Sequence, residues 1–332
     1  MEEPAREPLP PAQPPAPPTA PAESARRSLL GPYSGVVVYL VGYFAVAMIL
    51  STIAAVAAGI LMGIGVIPEP AFDLGTTFGV DEVLRLIEPY LLPIVLLVAF
   101  YSIAYTWIFV RLIERRPLRT FGLRLRPGWA GEFARGAILA VGVVGVVFVI
   151  SLVSRSINVE GFARPAPDGT NVVVYLVGML LAFLAVGFYE ELMFRGYVLQ
   201  RLNERAARVP AIAVSSVIFA LMHGVNPGTD VFSLVNTTLI AVLLAVLYFR
   251  TGSLWMPIGF HFAWNFSLGY IYSLPVSGIP LHGILNVVEA EPGSRITGGT
   301  YGPEAGLACT IALAAWALWL ALRRSARRKA GA

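Results

Sequence analysis

Eight apolar segments decide what this chain can fold into. They cover about residues 36–67, 90–112, 136–153, 172–193, 210–224, 233–249, 254–272 and 306–322. A helix crossing the hydrocarbon core of a bilayer needs about 20 residues, within a range of roughly 17–25. The first segment is long enough to tilt or kink. The fifth and sixth are short and suit a place buried in protein. Eight spans are expected, with seven as the alternative. Of the 332 residues only 13% are charged, about half the roughly 25% of soluble domains, and mean hydropathy is +0.72. The expected fold is all-α, a polytopic transmembrane helical bundle, and a soluble protein is excluded.

Charge placement sets an expected orientation. With the N-terminus inside and strict alternation, only Arg85, Arg155, Arg164 and Arg295 of the 24 Lys and Arg fall in outer loops. That asymmetry follows the positive-inside rule and predicts that both termini are cytoplasmic. The net charge of +4 is small, and no basic patch is interleaved with aromatics, so no nucleic-acid partner is expected. Membrane lipid is. Cys309 is the single cysteine, which excludes an intrachain disulfide and a cysteine metal cluster.

Four regions follow. Residues 1–30 form a proline-rich cytoplasmic tail, with 9 of the 25 prolines in residues 1–25. Such a segment has little to bury and is expected to be disordered; it lacks the apolar stretch of a signal peptide. Residues 31–170 hold the first transmembrane helices and a basic loop, 111–135, whose arginines are mixed with Leu, Phe and Trp. Two readings of that loop stay open: a segment lying along the membrane surface against anionic lipid, and an ordinary cytoplasmic loop. Residues 171–272 carry the candidate catalytic core. Residues 273–332 hold an outer loop, the last helix and a basic cytoplasmic tail. Gly59 and Gly63 form a small-xxx-small pair suited to close helix packing.

Ionisable groups in a bilayer are costly, about 2.5–3.5 kcal/mol each on insertion scales. All four aspartates fall in outer loops. Glu190, Glu191 and Arg195 instead lie within or at the end of the fourth apolar segment, and His223 and His261 are also in apolar surroundings. Glu191 and Arg195 are i, i+4 and share a helix face; a structural ion pair accounts for them as well as a functional one. Glu190 points about 100° away and finds Val186 and Phe194 at i−4 and i+4, so it has no partner on its own helix. Glu190 stands 15 residues before Arg205 and His223 stands 13 after Pro210. Those spacings put the two about 22 Å and about 20 Å from the turn between their helices, at matching depth. His261 and Asn265 are i, i+4 and project from one face of a third helix. A lone buried histidine is most often a hydrogen-bonded core residue; the signal here is the set. His282, in a Pro/Gly-rich stretch, reads as a loop residue, and Ser215 and Ser216 read as helix-packing hydroxyls.

These residues resemble a known family. "EELMFR" fits Glu-Glu-x-x-x-Arg, "FALMH" fits Phe-x-x-x-His and "HFAWN" fits His-x-x-x-Asn. In this order, on membrane helices, they are similar to the three motifs of the CPBP family, the CAAX-protease and bacteriocin-processing intramembrane proteases. The likeness covers about residues 172–268, and "FRG" at Phe194–Gly196 resembles the bacterial form, which implies a bacterial cell membrane. The resemblance implies an all-helical membrane fold and cleavage of a peptide or protein substrate. It makes Glu190 the water-activating residue and His223 its partner, with Glu191 and Arg195 supporting the site. His261 and Asn265 would stabilise the oxyanion or help bind a cation.

The chemistry is sound on its own terms. A desolvated glutamate can serve as base and then acid in amide hydrolysis, and an amide N–H₂ and an imidazole N–H can donate to an oxyanion. Two histidines and a glutamate also make a zinc set, but a liganded Glu190 is a poorer base, so zinc is not expected to be obligatory. The site is expected within the membrane and open to the cytoplasm. His-Glu-x-x-His, Gly-x-Gly-Asp and Gly-x-Ser-Gly motifs are absent from the sequence. The rival readings are a non-catalytic membrane adaptor or immunity-type protein, and a transporter or proton relay.

Overall fold

The computed structural model describes residues 28–63, 91–162, 171–291 and 293–317. The proline-rich stretch 1–25, the loops holding Asp73, Asp81 and Asp168, and the basic C-terminal tail lie outside them. The helices are α1 (Pro32–Gly63), α2 (Leu91–Phe109), α3 (Trp129–Val153), α4 (Val172–Glu191), α5 (Arg208–Met222), α6 (Val231–Thr251), α7 (Trp255–Asn265) and α8 (Leu307–Ala317). Two strands, β1 (Ile157–Phe162) and β2 (Leu285–Glu289), complete the elements used here. The chain is an all-α polytopic membrane bundle.

A helix occupies each of the eight predicted apolar segments. Among the described residues, however, six are long and apolar enough to cross a membrane, α1 to α6. The expectation of a short sixth segment is corrected: α6 has 21 residues. It starts at a capping box in which Ser233 N–H donates to Asp230 Oδ1 at 2.8 Å and Asp230 N–H donates to Ser233 Oγ at 2.9 Å. The seventh is the short one. α7 has 11 residues and passes into a π-helical stretch, Phe266–Ile271.

The ends sort into two sides as strict alternation requires. On the arginine-rich side, Leu29 N–H donates to Ile113 O and Arg201 Nη2 donates to Leu30 O, both at 3.0 Å. Arg126 Nη2 donates to Thr251 O on the same side at 3.0 Å. The starts of α1 and α3 thus meet the ends of α2, α4 and α6. On the other side β1, after α3, pairs antiparallel with β2, between α7 and α8, in the register Ile157↔Glu289 with a bulge between Val159 and Gly161. The basic 111–135 segment folds onto the bundle end rather than lying free: Phe121 is buried, Trp255 Nε1 donates to Arg124 O at 3.2 Å, and the Trp129 and Trp255 rings sit 4.8 Å apart.

Glycines let the central helix be approached closely. A Cβ on Gly259 of α7 would lie 2.1 Å from Phe133 O, and one on Gly136 of α3 would lie 2.0 Å from Met256 O. Both are shorter than any real contact, so α3 and α7 cross backbone to backbone. At Gly187 of α4 an added Cβ would meet Phe262 N at 2.9 Å. That crossing lies one turn before Glu190 and Glu191 and brings both carboxylates against α7. Apolar burial around α7, including Val144, Leu244, Phe260 and Trp264, holds the crossing in place; each such side chain contributes about 1.5–3 kcal/mol.

Candidate active site

The carboxylates emerge where α4 changes pitch. Glu191 is the last residue of α4, and the helix continues as a π-helical stretch, Leu192–Val198, before Leu199–Asn203. α7 changes in the same way directly after Asn265. Such stretches widen a helix locally and recur at functional sites. Here two of them begin one residue beyond site residues.

Glu191 is fully buried and holds two partners on one oxygen. Arg195 Nη1 donates to Oε1 at 2.8 Å, and His261 Nδ1 lies 2.8 Å from the same atom. Arg195 Nη2 also donates to Ala241 O at 3.1 Å, and its guanidinium lies 4.4 Å from the centre of the Phe219 ring. The ion pair leaves Glu191 able only to accept, so His261 Nδ1 carries the hydrogen and its Nε2 points the other way. A carboxylate behind an imidazole fixes ring and tautomer as in the catalytic triad.

α5 ends at Met222, and His223 opens the 3₁₀ turn His223–Val225. The turn stops at Asn226, held extended ahead of Pro227. His223 Nδ1 donates to Phe219 O at 2.9 Å, and a carbonyl can only accept, so this histidine too presents Nε2. Phe219 touches both histidine rings, at 4.5 Å from His223 and 6.2 Å from His261.

Both Nε2 atoms face Glu190. Its Oε2 lies 3.7 Å from His261 Nε2 and 3.9 Å from His223 Nε2, while Tyr189 O–H donates to Oε1 at 3.3 Å. Oε2 is buried and has no hydrogen-bond partner among the described residues. Glu190, His223, His261 and Asn265 all line one cavity of about 340 Å³. The matching depth expected of Glu190 and His223 is therefore what the geometry shows. Glu191 and Arg195 stand behind the wall rather than in it.

Bonds of about 2.0–2.2 Å put neighbouring tetrahedral ligands about 3.4 Å apart, and Glu190 Oε2 stands somewhat further than that, 3.7 Å and 3.9 Å, from the two Nε2 atoms. Among the described residues no group of three or more His, Cys, Asp or Glu side chains is arranged to hold a metal.

The rest of the wall holds residues that apolar-segment scanning passes over. Asn226, Ser277 and Glu304 come from the α5–α6 and α7–α8 connections, with Thr237 from α6. Irregular backbone at this depth is tolerated where it lines a cavity. These connections lie opposite the arginine-rich ends, so the lining lends no support to an opening on the arginine-rich side. Tyr189 adjoins Glu190, which a reading for charge alone does not single out.

Helices long and apolar enough to cross a membrane, packed around a cavity that holds polar side chains, define an integral membrane protein. Residues 172–267 match the Rce1-like family, described as type II CAAX prenyl endopeptidase, Rce1-like. That match falls on the core that carries the three motifs, and this core is similar to the CPBP family. It is also similar to the uncharacterized protein YyaK of Bacillus subtilis (strain 168), at 24% identity over 214 residues, covering 63% of this chain and 68% of that protein.

Proposed function

We propose that the protein is an intramembrane endopeptidase of CAAX-protease type, working through a glutamate-activated water. The observation that carries this is the convergence of Glu190 Oε2 with two imidazole Nε2 atoms in one cavity. A water there meets three acceptors and has two hydrogens to give. One of the three groups must therefore hold a proton of its own. His261, backed by the Glu191 carboxylate, is the best place for it.

The steps then balance. The water oxygen attacks the carbonyl carbon, and Glu190 takes the proton. The oxyanion accepts from the Asn265 side-chain N–H₂ and from His261 Nε2–H. The C–N bond breaks, and the amine leaves with the proton from Glu190. His223 holds and aims the water. No step passes through a metal. The excess of arginine on one side of the bundle supports a cytoplasmic location for that side, and the membrane is that of a bacterial cell on the likeness of "FRG" noted above.

The test uses purified protein in detergent with a peptide library. Wild type is expected to cleave, and Glu190→Gln to lose activity by about 10³-fold while remaining folded. Equal product from both removes Glu190 from the reaction and leaves a partner-binding membrane protein. Full activity in excess chelator is expected as well; loss that returned with added zinc would replace the metal-free scheme.

A further inference from the structure

A second polar cluster lines the same cavity, and the hydrolysis just described does not use it. Glu304 sits in the 3₁₀ turn Pro303–Ala305, shortly before α8, and is 6% exposed. The Trp264 indole N–H donates to its Oε1 at 2.9 Å. Ser277 donates twice to Oε2, from its backbone N–H at 2.7 Å and its hydroxyl at 2.8 Å. Three donors and no acceptor around it suit an ionised carboxylate. Among the described residues no Lys, Arg or His pairs with it at salt-bridge distance. Thr237, Asn226 and Ser277 gather beside it around the Tyr301 hydroxyl.

Bridging Trp264 to Ser277 needs only an acceptor, and a neutral side chain would supply one without burying a charge. A buried carboxylate that faces a cavity and lacks a cation is poised for a cation brought by what enters. The distance fits a substrate. Trp264 follows His261 by three residues, about 4.5 Å along α7, and an extended peptide advances about 3.3 Å per residue. Glu304 therefore stands within reach of a side chain a few residues from the scissile bond.

We propose that Glu304 determines specificity: with Ser277 it receives the cationic side chain of a Lys or Arg in the substrate, and it disfavours a carboxylate at that place. The assignment rests on the peptidase reading and names a substrate feature for it.

The experiment gives the purified full-length protein peptides with Lys, norleucine or Glu at each of four positions either side of the cleaved bond. At one position Lys is expected to exceed norleucine by about tenfold in kcat/KM, with Glu lowest. In Glu304→Gln that preference is expected to fall to within about twofold, while the norleucine peptide is cleaved within about threefold of wild type. Equal cleavage of Lys and norleucine peptides at every position by wild type overturns the proposal without any variant. So does a Glu304→Gln protein that loses all peptides in equal proportion, because that is a structural role. Failure of wild type to cleave any peptide is a separate result, and it removes the peptidase reading together with this one.

Discussion

Glu191 and Glu114 are built alike and placed differently. Both are fully buried, and both set an arginine ion pair beside a second donor on Oε1, although Arg201 Nε makes no hydrogen bond there where Arg195 Nη1 does. Glu191 has Arg195 and His261, each at 2.8 Å. Glu114 has Arg201 at 3.1 Å and the Tyr197 hydroxyl at 2.6 Å. Each has an Oε2 without a hydrogen-bond partner among the described residues. The difference lies one residue further out. Behind Glu191 stands an imidazole whose other nitrogen faces a cavity. Behind Glu114 stands a tyrosine packed against Tyr39, with ring centres 4.3 Å apart, at the arginine-rich end of the bundle. Arg201 passes on to Glu204 at 2.5 Å, and Glu204 to Arg116 at 2.6 Å. One carboxylate orients a reactive group, and the other latches α1, α2 and α4 together. Buried charge in a membrane bundle is thus no sign of chemistry by itself; a polar atom turned toward a cavity is.

The contrast can be broken by experiment, and the largest effect belongs to the cavity. Glu190→Gln lowers turnover by about 10³-fold, with the thermal midpoint in detergent unchanged; a large drop in that midpoint would put Glu190 with Glu114 as a structural group. Arg201→Met strands the Glu114 charge and destabilises the fold by about 3–5 kcal/mol, while turnover per folded molecule stays at the wild-type level. A selective loss of turnover at full stability would erase the distinction between the clusters. Asn265→Ala removes one oxyanion donor and lowers kcat by about 10²-fold with KM little changed; an effect confined to KM would make Asn265 a binding residue. Phe219→Leu removes the ring beneath Arg195 and destabilises by about 1–2 kcal/mol, with a smaller fall in turnover as both histidines lose their shared wall. Stability equal to wild type would show that Arg195 is held by Glu191 and Ala241 alone.

Much of this was legible in the sequence for plain reasons. The bilayer demands long apolar helices, so every segment declares itself by composition, and helices stand at all eight places. The i, i+4 spacing of Glu191 with Arg195 and of His261 with Asn265 reflects local helix geometry. The equal depth of Glu190 and His223 follows from rise per residue around one short turn. What escaped detection came from irregular backbone. Glu304, Ser277 and Asn226 have no period to betray them, and they reach the cavity only because the connections fold back into the bundle. Phe219 was marked by the Phe-x-x-x-His motif, but its contacts with Arg195 and both histidines came only from the packing of separate helices.

The chain alone determined that it is a membrane helical bundle with carboxylates, imidazoles and an amide where lipid is the surrounding medium, because insertion energies and helical period act on near neighbours. Only tertiary structure decided that Glu191 stands behind His261 while Glu190 faces it. That outcome depends on Gly187 and Gly259 letting three backbones approach within a side chain's width, and such contact distances are set by packing between distant segments rather than by any local preference.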